Sequence, residues 1–219
     1  MGQNLKTRSL LSASIMTMAS IGLMVGGTYA LFTDSAKISN HLQAGNLNIS
    51  LIRTSYTKHT LNDSGYLEDV SSSVETDFSG DNEENVFGLD DDEVIVPASS
   101  FLANMKLING VKSGNSYTAS SVAFNYDVKI VVSDEANEDL ISQLNVVVKK
   151  GNEEVANKKL SEFTTDAVFS GKMTKTDTAV EFSVKLTFEN LTANENNKAQ
   201  DKTADFDLVV EATQLTSNQ

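Results

Sequence analysis

The chain has no cysteine, no tryptophan and a single proline, Pro97. Without cysteine there is no disulfide, no thiolate metal site and no lipid-modified cysteine. A chain of 219 residues must therefore hold together through an apolar core, and it is long enough to bury one. Histidine is scarce as well, with only His41 and His59 present. A zinc protease of the H-E-x-x-H type sets two histidines one helical turn apart, with a glutamate as base. Here the two are eighteen positions apart and neither is flanked by that pattern. Composition alone leaves a Ser-His-Asp arrangement open, because serine is plentiful. There is, however, no G-x-S-x-G turn, no glycine-rich phosphate loop and no carboxylate pair that stands out as an acid/base couple. Both histidines read as exposed polar positions in loops, and no cofactor is called for.

Basic residues are also few. Lys and Arg number 17 against 30 Asp and Glu, a net charge of −13. Removing the first 30 residues takes away Lys6 and Arg8 and leaves 15 basic against 30 acidic side chains. Such a surface repels nucleic acid, which is excluded as a partner. It also opposes self-association until salt or acid weakens the repulsion. The densest acidic run, Asp90-Asp91-Asp92-Glu93, lacks the D-x-D-x-D-G spacing of a calcium loop. It reads as a solvated loop, with calcium binding as the alternative.

Lys6 and Arg8 precede an uncharged, largely apolar stretch that runs to Thr33. A positive start, an apolar middle and small residues at the end define a secretory signal peptide. Thr28 and Ala30 fill the small-residue positions for a cut between Ala30 and Leu31. A retained membrane anchor is the alternative, since the stretch approaches the ~20 residues that span a bilayer. Residues 1–30 are thus assigned as a signal helix and 31–219 as the mature chain.

What the mature chain does have is period-2 alternation. Val122, Phe124, Tyr126, Val128, Ile130 and Val132 share one face of a strand. Val180, Phe182, Val184, Leu186 and Phe188 repeat the pattern, as do Ala204, Phe206, Leu208, Val210 and Ala212. Shorter versions occur at Leu47, Ile49 and Leu51, at Phe101, Ala103, Met105 and Leu107, and at Leu144, Val146 and Val148. One dry and one wet face per strand predicts antiparallel sheets packed as a sandwich, an all-β fold with one or two short helices in loops. Lys149-Lys150-Gly151-Asn152 predicts a hairpin turn. Ser133 is placed to cap a helix from Asp134 to about Gln143. Residues 54–93, with twelve acidic side chains, and the Asn-rich residues 190–202 break the rhythm as polar segments.

Residues 31–43 contain neither glycine nor proline. Phe32, Ala36, Ile38 and Leu42 share one face of an extended strand, which Asp34 and Asn40 interrupt. Cleavage releases this segment as an N-terminal arm, starting at Leu31, ahead of the core at residues 44–219. Such an arm can add to a sheet edge of another subunit. Head-to-tail addition then propagates into a filament unless it closes a ring. Equally, it can pair as an edge strand within its own subunit.

Gly26-Gly27-Thr28-Tyr29-Ala30 followed by Leu31-Phe32-Thr33-Asp34, then Ala44-Gly45-Asn46-Leu47-Asn48-Ile49, and near the end Glu211-Ala212-Thr213-Gln214, resemble landmarks of the TasA/camelysin family. Asn109-Gly110 and Asp139-Leu140-Ile141-Ser142-Gln143-Leu144 fit the middle of the same pattern. That family comprises secreted biofilm-matrix and cell-surface proteins of Gram-positive bacteria. The resemblance implies a jelly roll, export and cutting by a dedicated signal peptidase. It also implies head-to-tail donor-strand exchange through the arm at Leu31, Phe32, Ala36, Ile38 and Leu42, in fibres shared with a minor accessory protein. A metalloprotease label carried by some relatives does not transfer, because the zinc ligands are missing. A monomeric surface adhesin is the other alternative. Leu31, where the family has a smaller residue, and the acidic insert at about 54–93 depart from the pattern.

Overall fold

Where alternation is strict, the backbone is a strand with its apolar column buried. The computed structural model describes residues 30–41, 47–78, 85–89, 94–113 and 116–215, the first of these segments by its backbone. Residues 1–29 of the expected signal peptide 1–30, Leu42 and the run Asp90-Asp91-Asp92-Glu93 lie outside the described residues.

In chain order the elements are β1 (Ala30–His41), β2 (Ser50–Leu61), β3 (Leu67–Ser72), β4 (Thr76–Asp77), β5 (Ser100–Ile108), β6 (Val111–Ser113) and β7 (Ser116–Thr118). There follow β8 (Phe124–Val132), α1 (Glu138–Ile141), β9 (Leu144–Lys150), β10 (Glu153–Lys159), β11 (Phe169–Met173), β12 (Ala179–Phe188), α2 (Ala193–Asn196) and β13 (Lys202–Gln214). One sheet runs β1-β13-β8-β11. The other runs β10-β9-β12-β5-β2-β3, with β4 also on β2, and β6 and β7 form a separate hairpin.

The two sheets share one core. Phe101, Ala103, Met105 and Leu107 of β5 are buried, as are Phe182, Val184, Leu186 and Phe188 of β12. They belong to the same cluster as Phe124, Tyr126, Val128 and Ile130 of β8 and Phe206, Leu208 and Val210 of β13. Phe169 of the first sheet meets Phe182 of the second edge-on, with ring centroids 5.4 Å apart. The expected β-rich fold with few short helices is what forms.

Three local expectations are corrected. The first helix covers only Glu138–Ile141, and its cap is Asn137, whose side chain accepts from the N–H groups of Asp139 and Leu140. Ser133 instead accepts from the N–H of Glu135 in a turn upstream. The Asn-rich segment is not wholly a loop. One helical turn forms there because buried Asn196 donates to Gln143 at 2.8 Å and to the Glu189 carbonyl at 2.9 Å.

The third correction concerns the polar residues after Thr54. Strand β2 runs on to Leu61, and its buried side past Ile52 includes Arg53 and Lys58. Nη1 of Arg53 donates to the Asn85 carbonyl at 2.6 Å, and Nη2 donates to Thr76 Oγ1 at 2.7 Å. Its guanidinium sits 4.9 Å from the Tyr56 ring centroid and 5.7 Å from that of Phe78. Lys58 Nζ donates to the Gly88 carbonyl at 3.1 Å. These cations bring residues 76–78 and 85–89 against β2, where Phe78, Val86 and Phe87 close the core. Long cationic side chains bury their stems and spend their charge on carbonyls and ring faces, so they serve as interior residues that a polarity reading overlooks.

Gly88 shows how tight that cover is. Its φ is +68°, and a Cβ there would lie 2.5 Å from Tyr56 Cε1. Both the left-handed backbone and the overlap penalise a side chain. Gly88→Ala is expected to cost on the order of 1–3 kcal/mol, read as a lower urea midpoint at unchanged slope. Gly65→Ala, at φ +77° in open space, is expected to cost less.

Candidate functional site

The arm forms β1 and lies along β13 of its own chain, in register from Ala30 opposite Lys202 to His41 opposite Thr213. The pairing is parallel, while the recorded pairings within both main sheets are otherwise antiparallel. The reason lies in connectivity. A tight hairpin forces neighbouring strands antiparallel, and no hairpin ties β1 to β13. The next strand after the arm, β2, is in the opposite sheet.

Register assigns each arm residue a column. Phe32, Ala36 and Ile38 stand opposite Ala204, Leu208 and Val210, which are all buried. Asp34 and Asn40 stand opposite Phe206 and Ala212 in the same column. Leu31 is opposite Thr203, in the other column. Sequence alternation thus placed Phe32, Ala36 and Ile38 together, and the ladder keeps them so. Ala30, the residue before the expected cut, is the first residue of β1.

What sequence reading missed is the other half of the pairing. Strand β13 is the receiving edge, with β8 on its far side from Phe206 opposite Val132 to Gln214 opposite Phe124. Its alternation marked a strand, but a single strand's pattern does not say which neighbour lies on which side. On its outer face Glu211 accepts from Lys129 Nζ at 2.8 Å. That hydrogen bond, together with the carboxylate's charge, raises the lysine's pKa above its ordinary value.

The root of the arm is fixed. Leu47 and Ile49 are buried, and between them the N–H of Asn48 donates to Ser120 Oγ at 2.8 Å. The Ser120 hydroxyl donates back to the Asn48 carbonyl at 2.7 Å. Asn109 Oδ1 accepts from the N–H of Ser120, and its Nδ2 donates to the carbonyls of Thr174 and Asp177. The core therefore begins at a pinned residue a few positions after β1.

The remaining candidates are dispersed. His59 lies in β2 rather than in a loop, with Nδ1 2.8 Å from Asp69 Oδ1 on exposed β3. Asp69 is the one side-chain partner of its ring among the described residues, and His41 ends β1 in the other sheet. Among the described residues no group of His, Asp and Glu is arranged to hold a metal ion. Among the described residues are open clefts of about 450–510 Å³, one of them at Lys150, Lys172 and Asp177.

No protein family, no curated protein and no solved structure matches the chain.

Asp177 closes the turn beside that cleft. It accepts from the Thr174 N–H at 2.6 Å. This bond, with a further one from the Thr174 side chain, holds its carboxyl below the usual pKa. A depressed carboxyl stabilises the fold above its unfolded-state pKa, and the contribution is lost as pH falls through the folded-state value. Asp177→Ala is therefore expected to lower the thermal midpoint at neutral pH. The difference from wild type should close in strong acid.

Proposed function

We propose that the chain is a secreted, non-enzymatic structural subunit of extracellular fibres, and that subunits join by donating β1 to the β13 edge of a neighbour. The observation that carries this reading is the parallel strand β1, the first of the described strands, which completes a sheet edge without being tied to it by a hairpin.

Three physical points support it. First, moving β1 from its own β13 to that of another copy keeps every backbone pair and changes only which chain supplies it, the logic of domain swapping. Secondly, docking of the arm is closely balanced. The residues of β1 that remain after the cut, Leu31 to His41, lose about 1–2 kcal/mol each in backbone entropy. A ladder bond returns roughly 1 kcal/mol net. Apolar contacts must supply the difference, and a neighbour's β13 offers the same ones. Thirdly, the bonds at Asn48 hold the start of the core while the arm leaves.

The finer description follows from the resemblance drawn above. The domain is a jelly roll of TasA/camelysin type, exported after cleavage between Ala30 and Leu31 by a dedicated signal peptidase. It assembles on the surface or in the biofilm matrix of a Gram-positive bacterium, with a minor accessory protein as partner. Leu31, Phe32, Ala36, Ile38 and Leu42 are the donor residues.

The protein beginning at Leu31 is expected to form filaments visible by negative-stain electron microscopy. The same protein without residues 31–42 should form no filaments by negative-stain electron microscopy, and should bind a synthetic peptide of those residues. Filaments from the truncated chain would show that another surface drives assembly.

A further inference from the structure

The second sheet ends in two strands with no strand partner on their outer side among the described residues, β3 and β10. Strand β3 carries acidic charge alone, whereas β10 carries glutamates at its start and lysines at its end. Strand β3 reads Leu-Glu-Asp-Val-Ser-Ser, with Glu68 and Asp69 exposed. Asp63 in the preceding turn and Glu75 and Asp77 just after it add to that edge. No Lys or Arg occurs between Lys58 and Lys106. Strand β10 reads Glu-Glu-Val-Ala-Asn-Lys-Lys and ends in Lys158 and Lys159. Its hairpin partner β9 ends in Lys149 and Lys150.

Strand direction decides how these edges could meet. Every step along β10-β9-β12-β5-β2-β3 is antiparallel. Five reversals leave β10 and β3 running in opposite directions. Two copies side by side in the same orientation therefore present β3 of one antiparallel to β10 of the other. In that direction Glu68 and Asp69 fall beside Lys158 and Lys159, while Ser71 and Ser72 fall beside the glutamate end. The parallel alternative sets Glu68 and Asp69 against Glu153 and Glu154, and like charges facing across strands destabilise the pair.

The geometry points to a lateral contact between copies of this chain, in which β3 of one adds to β10 of the next and continues the sheet. The contact is heterologous, so it repeats from copy to copy. It does not rest on arm exchange, which uses the other sheet.

The lysines are available for this in different degrees. Lys158 Nζ donates to the Glu162 carbonyl at 2.9 Å and lies 4.3 Å from the Phe163 ring centroid, partners that leave its charge uncancelled. Lys159 already pairs with Glu189. Asp69 holds His59, and Glu68 accepts from Asn62 Nδ2 at 2.9 Å. The register shift in β10 lies between Glu154 and Ala156, so the residues from Ala156 to Lys159 pair regularly.

Edge charges also have an opposite use, keeping strands from pairing, and the two roles predict opposite signs. In the protein beginning at Leu31, Glu68→Ser with Asp69→Ser is expected to reduce lateral association. The readouts are sedimentation velocity and the width, not the length, of filaments. Glu68→Lys with Asp69→Lys should abolish association, and adding Lys158→Glu should restore it. Thermal midpoints identify any variant that fails to fold, and the exposed serine pair decides the matter if the swap does not fold. Greater association of the serine variant would overturn the proposal, as would no response to any of these changes. Filament length unchanged while width falls would separate this contact from arm exchange.

Discussion

An edge strand leaves a row of backbone N–H and C=O groups without partners, and in this chain β1 supplies the partners for β13 over its 12 residues. Much of the architecture follows from that need. The core beneath β13 includes Ala204, Phe206, Leu208 and Val210, so loss of β1 would bring water to the side of a column that is otherwise dry. The chain covers that edge with β1, which no hairpin ties to β13. A strand connected in this way is a kind of cover that a second molecule can supply equally well.

Charge sets the second constraint. Thirty acidic residues against 17 basic ones keep copies apart at low ionic strength, and screening within about 10 Å at 0.1 M salt removes much of that repulsion. Within the chain, the few cations are placed where they count. Arg53 and Lys58 hold the cover over β2, and Lys129 braces β13 through Glu211. The acidic segment is therefore part of the folded sheet at its start, through β2, β3 and β4, and its residues 85–89 pack against β2.

Much of the core was legible beforehand because alternation reports burial directly. Phe124 to Ile130, Phe182 to Phe188 and Ala204 to Ala212 are buried in the columns that the spacing predicts. Strand β2 beyond Thr54 was not legible, since its inward residues include Arg53, Lys58 and Thr60, and polarity alone reads as solvent exposure. The helix boundary failed for a local reason: both Ser133 and Asn137 can cap, and only the contacts of Leu140 and Ile141 with the core choose between them. For the arm, the pattern of Phe32, Ala36 and Ile38 was visible, whereas its partner β13 and the parallel sense were not. Those depend on where the two ends of the chain meet.

The account turns on which molecule's β1 covers a given β13. Lys37 and Val209 are register partners, and partners on adjacent strands fall within the Cα separation a disulfide accepts. The chain has no cysteine of its own, so Lys37→Cys with Val209→Cys reports this contact alone. In the assembled protein beginning at Leu31, oxidation is predicted to give a ladder of covalent multimers on a non-reducing gel. Cross-linked monomers from intact filaments would contradict the account.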